Sequence, residues 1–189
     1  MKGYHGSNTP TEIKDLWSTP QFVFDFYNGI YNYGVDLCAD DKNHKCDLYI
    51  TEEMNALDME TTLSTLNLCG VNDRNIWCNP PYSDVTPWVD LCIELSKRLG
   101  VSVSILIPAD TSVKWFRKAW DNASIVDFIN GRLSFINAAT GKPVNGNNKG
   151  SVVFTFGNGA GRSVTLIDRD DMKHIDTPVT VDYIDDSIN

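Results

Sequence analysis

Asn79-Pro80-Pro81-Tyr82 is the segment of this 189-residue chain whose residue types could do chemistry. Two consecutive prolines hold φ near about −65° and remove two N–H donors. The carbonyls of Asn79 and Pro80 are left free to accept from another molecule. The Asn79 side chain adds a further acceptor. Tyr82 offers a flat face for stacking. A rigid acceptor cluster beside an aromatic plate suits a planar substrate with an exocyclic amine. Acceptors aimed at the amine hydrogens hold the nitrogen lone pair ready for attack. The bland alternative is a tight strand-to-helix turn with no chemistry.

The tetrapeptide needs elements that place it at a binding edge. Asn75 to Cys78 reads as a short strand running into it, and Pro87 to Leu99 as a helix after it, with Trp88, Leu91, Cys92 and Leu95 on one face and Gly100 as its stop. In open α/β sheets, ligands bind at the carboxyl ends of the strands. Gln21 to Tyr31 has helical spacing through Phe22, Val23, Phe26, Tyr27 and Ile30, with Pro20 at its start. Gly34 to Ala39, Asp47 to Thr51 and Val101 to Ile107 read as strands, the last β-branched and clearest. Val113 to Trp120 reads as a helix. Ile125 to Ile129, Arg132 to Ile136, Val152 to Phe156 and Ser163 to Ile167 read as strands, the last two joined by a glycine-rich turn at 157–161. Strand and helix alternate first and strands dominate later. That predicts an α/β fold, a Rossmann-like sheet that is mostly parallel with an antiparallel edge hairpin.

Composition bounds the function. Hydrophobic residues make up 42% and charged residues 22%, and five Trp, seven Tyr and eight Phe exclude whole-chain disorder. No stretch approaches the roughly 20 apolar residues of a membrane span. No apolar run follows Met1-Lys2-Gly3-Tyr4-His5-Gly6, so a cytoplasmic location is expected. Five cysteines, odd in number and without C-x-x-C spacing, fit a reducing compartment and read as small buried hydrophobes. Cys38, His44 and Cys46 lack a fourth ligand at convincing spacing, so no metal is expected. The scattered His5, His44 and His174 give no nucleophile–base pair, and a hydrolase has no support. The net charge of −9 argues at first against nucleic acid. Its distribution reverses that. Residues 1–96 carry five basic and fifteen acidic side chains, 97–165 nine and three, and 166–189 two and seven.

The tetrapeptide also carries a resemblance. Asn-Pro-Pro-Tyr is similar to the signature of S-adenosylmethionine-dependent amino-methyltransferases, chiefly DNA adenine-N6 enzymes. Asp15-Leu16-Trp17-Ser18-Thr19-Pro20 resembles the "W-x-T-P" segment of the phage-type Dam family. Val35 to Ala39, Asn43 to Cys46 and Tyr49 to Glu53 resemble its "LDxAA", "NxKC" and "T-E" stretches. Ile105 to Ser112 with Trp115-Phe116 resembles "LLPAxT" and "WF", and Gly131 to Ile136 resembles "GR-x-x-F". The likeness covers about residues 15 to 157.

The resemblance implies roles. Asn79, Pro80, Pro81 and Tyr82 would be catalytic: Asn79 and the Pro80 carbonyl accept from the adenine amine, and Tyr82 stacks on a base turned out of the duplex. Trp17, Thr19, Pro20, Asp36, Cys38 and Asn79 would hold S-adenosylmethionine, with Thr19 and Pro20 at its methionine end and Asp36 near its ammonium. From the residues alone, Trp17, Trp77 and Trp88 read as core residues more than functional ones. The glycine-rich turn usual after the first strand is missing at Leu37 to Asp41, which leaves contacts there open. Asp40 and Asp41 are better helix caps than ligands, and Glu52 or Glu53 is a candidate for the ribose hydroxyls.

Double-stranded DNA would meet the basic middle. Lys114, Arg117 and Lys118 share one predicted helix, and Arg132 sits in the "GR-x-x-F" segment. Asn147 and Lys149 lie in a Gly/Asn-rich loop over 137–150, the expected target-reading element. The domain plan is a flexible arm at 1–14, a methyltransferase domain at 15–167 and an acidic tail at 168–189. Two other functions stay open: amino-methylation of RNA or protein glutamine, and an inactive methyltransferase-like fold that binds or mimics DNA.

Overall fold

The computed structural model describes residues 17–137, 140–144, 149–157 and 161–174. The expected arm at 1–14, the loop residues Asn145 to Asn148 and the tail beyond His174 lie outside them. Among the described residues, nine strands occur in chain order: β1 (Trp17–Ser18), β2 (Tyr33–Asp36), β3 (Leu48–Tyr49), β4 (Asn75–Cys78), β5 (Val103–Pro108), β6 (Ile125–Asn130), β7 (Ile136–Asn137), β8 (Ser151–Phe156) and β9 (Ser163–Asp168). Four helices accompany them: α1 (Gln21–Tyr31), α2 (Met59–Leu68), α3 (Thr86–Leu99) and α4 (Lys114–Asn122). A 3-10 turn follows at Asp171–Lys173.

Seven strands form the main sheet in the order β3-β2-β4-β5-β8-β6-β9. All its pairs are parallel except those of β8, which runs antiparallel to both β5 and β6. The α/β reading with a mostly parallel sheet therefore stands. The placement of the antiparallel strand differs from a local hairpin: β6 lies between β8 and β9, so the glycine-rich connection joins strands that are not neighbours. Periodicity marks strands but carries no information on partners. The second departure concerns Arg132 to Ile136. Only Ile136 and Asn137 form a strand, paired antiparallel with Trp17 and Ser18 in a separate two-stranded sheet. Leu133 and Phe135 instead bury their side chains beneath α1.

Alternation in β4 divides the core. Ile76 and Cys78 face the cluster under α2, α3 and α4, while Trp77 faces the aromatic cluster under α1. Val23, Phe24, Phe26 and Tyr27 bury the inner face of α1, whereas Ile30, expected on that face, is 42% exposed. Asn32 at φ 51° ends α1, and its N–H donates to the Asn28 carbonyl at 2.8 Å. Gly100 at φ 70° ends α3, where a left-handed cap favours glycine. Helix α2 has little periodicity in the sequence because it buries only Thr62 and Leu66. Its signal is Asp58, whose side chain accepts from Thr61 N at 3.2 Å as an N-cap. Cys46, Cys78 and Cys92 are buried as expected, but Cys69 is exposed. Among the described residues, no helix is long and apolar enough to cross a membrane.

Asp127, on β6 beneath α1, is 6% exposed. Burial pushes its carboxyl up to about 6, partly offset by the neighbouring hydroxyls of Thr165 and Tyr27. A folded-state value above the unfolded one means that the native chain binds the extra proton, so stability falls as pH rises through this window. Asp127→Asn removes that loss. Urea unfolding should show the variant gaining on the parent between pH 4 and 6.5, by about 1–3 kcal/mol in all. A pH-independent difference would contradict this.

Candidate active site

The parallel pairs bring the carboxyl ends of β2, β4 and β5 to one edge. Asp36 pairs with Trp77, and Cys78 with Ile105. Residues following each strand therefore meet above that edge, which is where Asn79 emerges. A cleft of about 550 Å³ opens there. Trp17, Thr19, Asp36, Cys38, Asn79 and Pro81 all line it, so five of the six expected cofactor residues converge. Pro20 is not on its wall. It starts α1, its carbonyl accepting from Val23 N at 3.1 Å.

Asp36 is 3% exposed at the cleft floor. Its Oδ1 accepts from Cys38 N at 3.3 Å and its Oδ2 from Lys45 N at 3.0 Å. Burial pushes its carboxyl up to about 7, against the pull of those two N–H groups and of the Lys45 charge. The turn after β2 thus uses a carboxylate to organise its backbone where glycines are absent. Asp40 does likewise: its Oδ1 accepts from Lys42 N at 2.7 Å and Asn43 N at 3.1 Å. It caps a turn and not the helix expected of it, and also lines the cleft. Asp41 instead accepts from the Tyr49 hydroxyl at 2.6 Å. Of the two ribose candidates, Glu52 lines the cleft, while Glu53 accepts from the Thr51 hydroxyl at 3.3 Å.

Asn79 is clamped on both sides of its amide. Nδ2 donates to the Trp17 carbonyl at 3.3 Å, and Oδ1 accepts from the Tyr82 hydroxyl at 3.1 Å. The same hydroxyl lies 3.3 Å from the Leu106 carbonyl. Burial holds the Tyr82 phenol far above its ordinary range, so it stays a donor. The Trp17 carbonyl can only accept, and this fixes Nδ2 as the donor end of the amide and Oδ1 as the acceptor. Sequence reasoning assigned Tyr82 only a stacking face and missed its hydroxyl's hold on Asn79.

A small recess adjoins the cleft, lined by Trp17, Asn79, Pro80, Tyr82 and Phe135. Phe135 stacks on Trp17 with centroids 6.0 Å apart at 19°. It meets Tyr82 edge-on at 5.7 Å and 89°. The rings fill this recess. Phe135 was not among the expected site residues, although it is the aromatic of the "GR-x-x-F" likeness. Trp17 serves both expectations, being 9% exposed core and cleft wall. Trp77 is fully buried, and Trp88 lines the cleft.

The basic candidates divide. Arg132 follows β6, and Lys149 precedes β8 next to Ala109, whose N–H donates to the Gly150 carbonyl at 2.9 Å. Both therefore stand on the carboxyl rim. Lys114 opens α4 after the β5 end. Arg117 and Lys118 lie along that helix, ion-paired with Asp121 at 2.8 Å and Asp90 at 2.5 Å. Lys149 pairs with Asp110 at 2.7 Å, which with Ser112 holds the Asp110 carboxyl down at about 2. Asn147 lies outside the described residues.

Residues 6–177 match the model of the family described as DNA N-6-adenine-methyltransferase (Dam). The chain belongs to this family. A Dam relative, the DNA N-6-adenine-methyltransferase of Escherichia phage T1, is 36% identical over 167 residues, 80% of this chain and 66% of its own length. One from Haemophilus phage HP1, with the same name, is 35% identical over 153 residues, 79% of this chain and 83% of its own length. This chain thus spans just under two thirds of the phage T1 protein. A predicted O-methyltransferase of solved structure from Agrobacterium tumefaciens aligns at TM-score 0.35 and 13% identity, over 74% of this chain and 86% of that one.

Proposed function

We propose that this chain methylates the N6 amine of adenine in double-stranded DNA, with S-adenosylmethionine as donor. The single observation that carries the chemistry is the orientation of Asn79. Its amide is locked at the junction of a cofactor-sized cleft and an aromatic recess. Membership of the Dam family supplies the substrate class.

The donor fits the cleft. Asp36 offers a buried carboxylate for its ammonium, and Glu52 a carboxylate for its ribose hydroxyls. Trp17 Nε1 is buried without a hydrogen-bond partner beside the cleft. Thr19 and Cys38 complete the wall, and Pro20 sets the start of α1 behind Thr19. S-adenosylmethionine supplies an electrophilic methyl. The chain supplies position and electrostatics. An adenine leaves the duplex because its amine is out of reach inside the stack. The base enters between Tyr82 and Phe135, displacing the Phe135 ring. Asn79 Oδ1, already pointed by Tyr82, accepts from the amine, and the Pro80 carbonyl accepts the second hydrogen. Both contacts localise the nitrogen lone pair. Pro81 stiffens the turn and walls the cleft. Residues 15–167 form the methyltransferase unit, and its packing runs past that bound, since Asp168 ends β9 and Met172, 2% exposed, joins the cluster under α1.

Arg132 and Lys149 on the rim, with Lys114, Arg117, Lys118 and Asn147, form the DNA face. The carboxylate partners of Arg117, Lys118 and Lys149 are exchanged for phosphates on binding. Arg132→Ala should weaken all DNA sequences alike and lower the salt slope of log K by about 1. Fluorescence anisotropy across a salt series checks this; loss confined to one sequence would instead make Arg132 a base reader. The function itself is tested by incubating the protein with labelled donor and unmethylated duplex DNA, followed by methylation-sensitive digestion. Label in RNA or protein with none in DNA would overturn the reading.

A further inference from the structure

We propose that the free edge of β9 pairs with β9 of a second copy, joining two sheets about a two-fold axis. This surface is separate from the site above. Among the described residues, strand β9 closes the sheet at one end and pairs only with β6. It carries Val164, 51% exposed, and Leu166, 71% exposed. An uncovered edge strand is a template for pairing.

The hydrogen bonds already made set which backbone groups are on offer. Ser163 N donates to the Ser124 carbonyl and Arg169 N to the Asn130 carbonyl, both at 2.9 Å. Odd-numbered residues of this strand thus turn their amides toward β6, so Val164, Leu166 and Asp168 turn theirs outward. An antiparallel partner must then match even residues with even ones. Centring on Thr165 sets Val164 opposite Leu166 of the second copy, twice over. It also sets Arg162 opposite Asp168, twice over. The exposed apolar pair and the charges are complementary in this one register. Moving the centre to Leu166 would face Val164 with Asp168.

Arg162 is pre-ordered for the pairing. Its Nε donates to the Ala123 carbonyl at 3.3 Å and its guanidinium lies 5.0 Å over Trp120. Asp168 is held by Asn130 Nδ2 at 2.9 Å. Val126 pairs with Val164 and Phe128 with Leu166. The joined patch therefore extends the apolar face already under α4. A six-residue pairing about 20 Å long and roughly 10 Å deep buries on the order of 200 Å² per partner, short of the roughly 800 Å² of a standard stable interface. The dimer is accordingly reversible.

The register gives the test. Thr165 faces its own copy as a non-hydrogen-bonded pair, with Cα atoms about 4.5 Å apart, within disulfide reach. Ser163 is about 13 Å from its copy. In full-length protein with Cys69→Ser, mild oxidation should link Thr165→Cys into dimers at least tenfold faster than Ser163→Cys. Sedimentation should show concentration-dependent dimer for the parent and monomer for Leu166→Lys, which keeps its methyl transfer and melting temperature. Equal linking of both cysteine variants, or a monomeric parent at every concentration, overturns the proposal. An edge covered by the chain's own residues 175–189 would leave Thr165→Cys unlinked and would overturn it equally.

Discussion

Asn79→Ala should lose methyl transfer to DNA by roughly three orders of magnitude, in line with removing one preorganised polar group from a transition state. The substitution deletes the acceptor proposed to face the amine. It also frees the Tyr82 hydroxyl and the Trp17 carbonyl that hold the amide. The hydroxyl is not left buried without recourse, because it retains the Leu106 carbonyl at 3.3 Å. Folding should therefore survive. Cofactor affinity should change little, since Asp36 and the rest of the cleft wall stay in place. Single-turnover transfer and calorimetric binding of S-adenosylmethionine separate the two effects. Tyr82→Phe refines the result. It keeps the stacking face and loses only the hydroxyl, so it should lower the rate with little change in substrate affinity. Retained full activity in Asn79→Ala would place the chemistry elsewhere.

Asp36→Ala should weaken cofactor binding by roughly two orders of magnitude, about 3 kcal/mol, as expected for removing one partner of a buried charge pair. DNA affinity should be nearly unchanged. The parent adds a pH signature. With its carboxyl held up at about 7 by burial, the free protein carries a protonated, neutral Asp36 below that value. The donor's ammonium needs the carboxylate. Affinity should therefore rise as pH increases from 5.5 to 7 and level off above 8. Asp36→Asn should be weak and flat across the range. Folding stability runs the other way. The raised value makes the cofactor-free native state bind the extra proton, so its stability declines between about pH 4 and 7. A pH-independent parent affinity would mean that Asp36 does not meet the ammonium.

Much of this arrangement was legible in the residues. The carbonyl-rich tetrapeptide after an apolar strand placed the candidate site at a sheet edge, where the cleft lies, because proline geometry and strand ending are local properties. The boundaries of α1 and the glycine stop of α3 followed from spacing and from a left-handed cap. The family likeness held over most of the chain, with several segments in order, and residues 6–177 match the family model. Charge counted by segment exposed a basic middle that the net value of −9 conceals.

What remained was non-local. Periodicity states which face of a strand is buried and not which strand lies beside it. Only the fold decided that β8 runs between β5 and β6, leaving β9 as an edge with two exposed apolar side chains. Only the pairing of Trp17–Ser18 with Ile136–Asn137 brought Phe135 against Trp17 and Tyr82. The hydroxyl of Tyr82 acquired its role because Leu106 and Asn79 meet there, 24 residues and three residues away in the chain. Three of the predicted phosphate-binding cations already hold carboxylates. Residue types and local spacing determined the chemistry this chain can offer. The orientation of each group followed from partners distant in sequence, since hydrogen bonds and ring contacts depend on where the backbone returns.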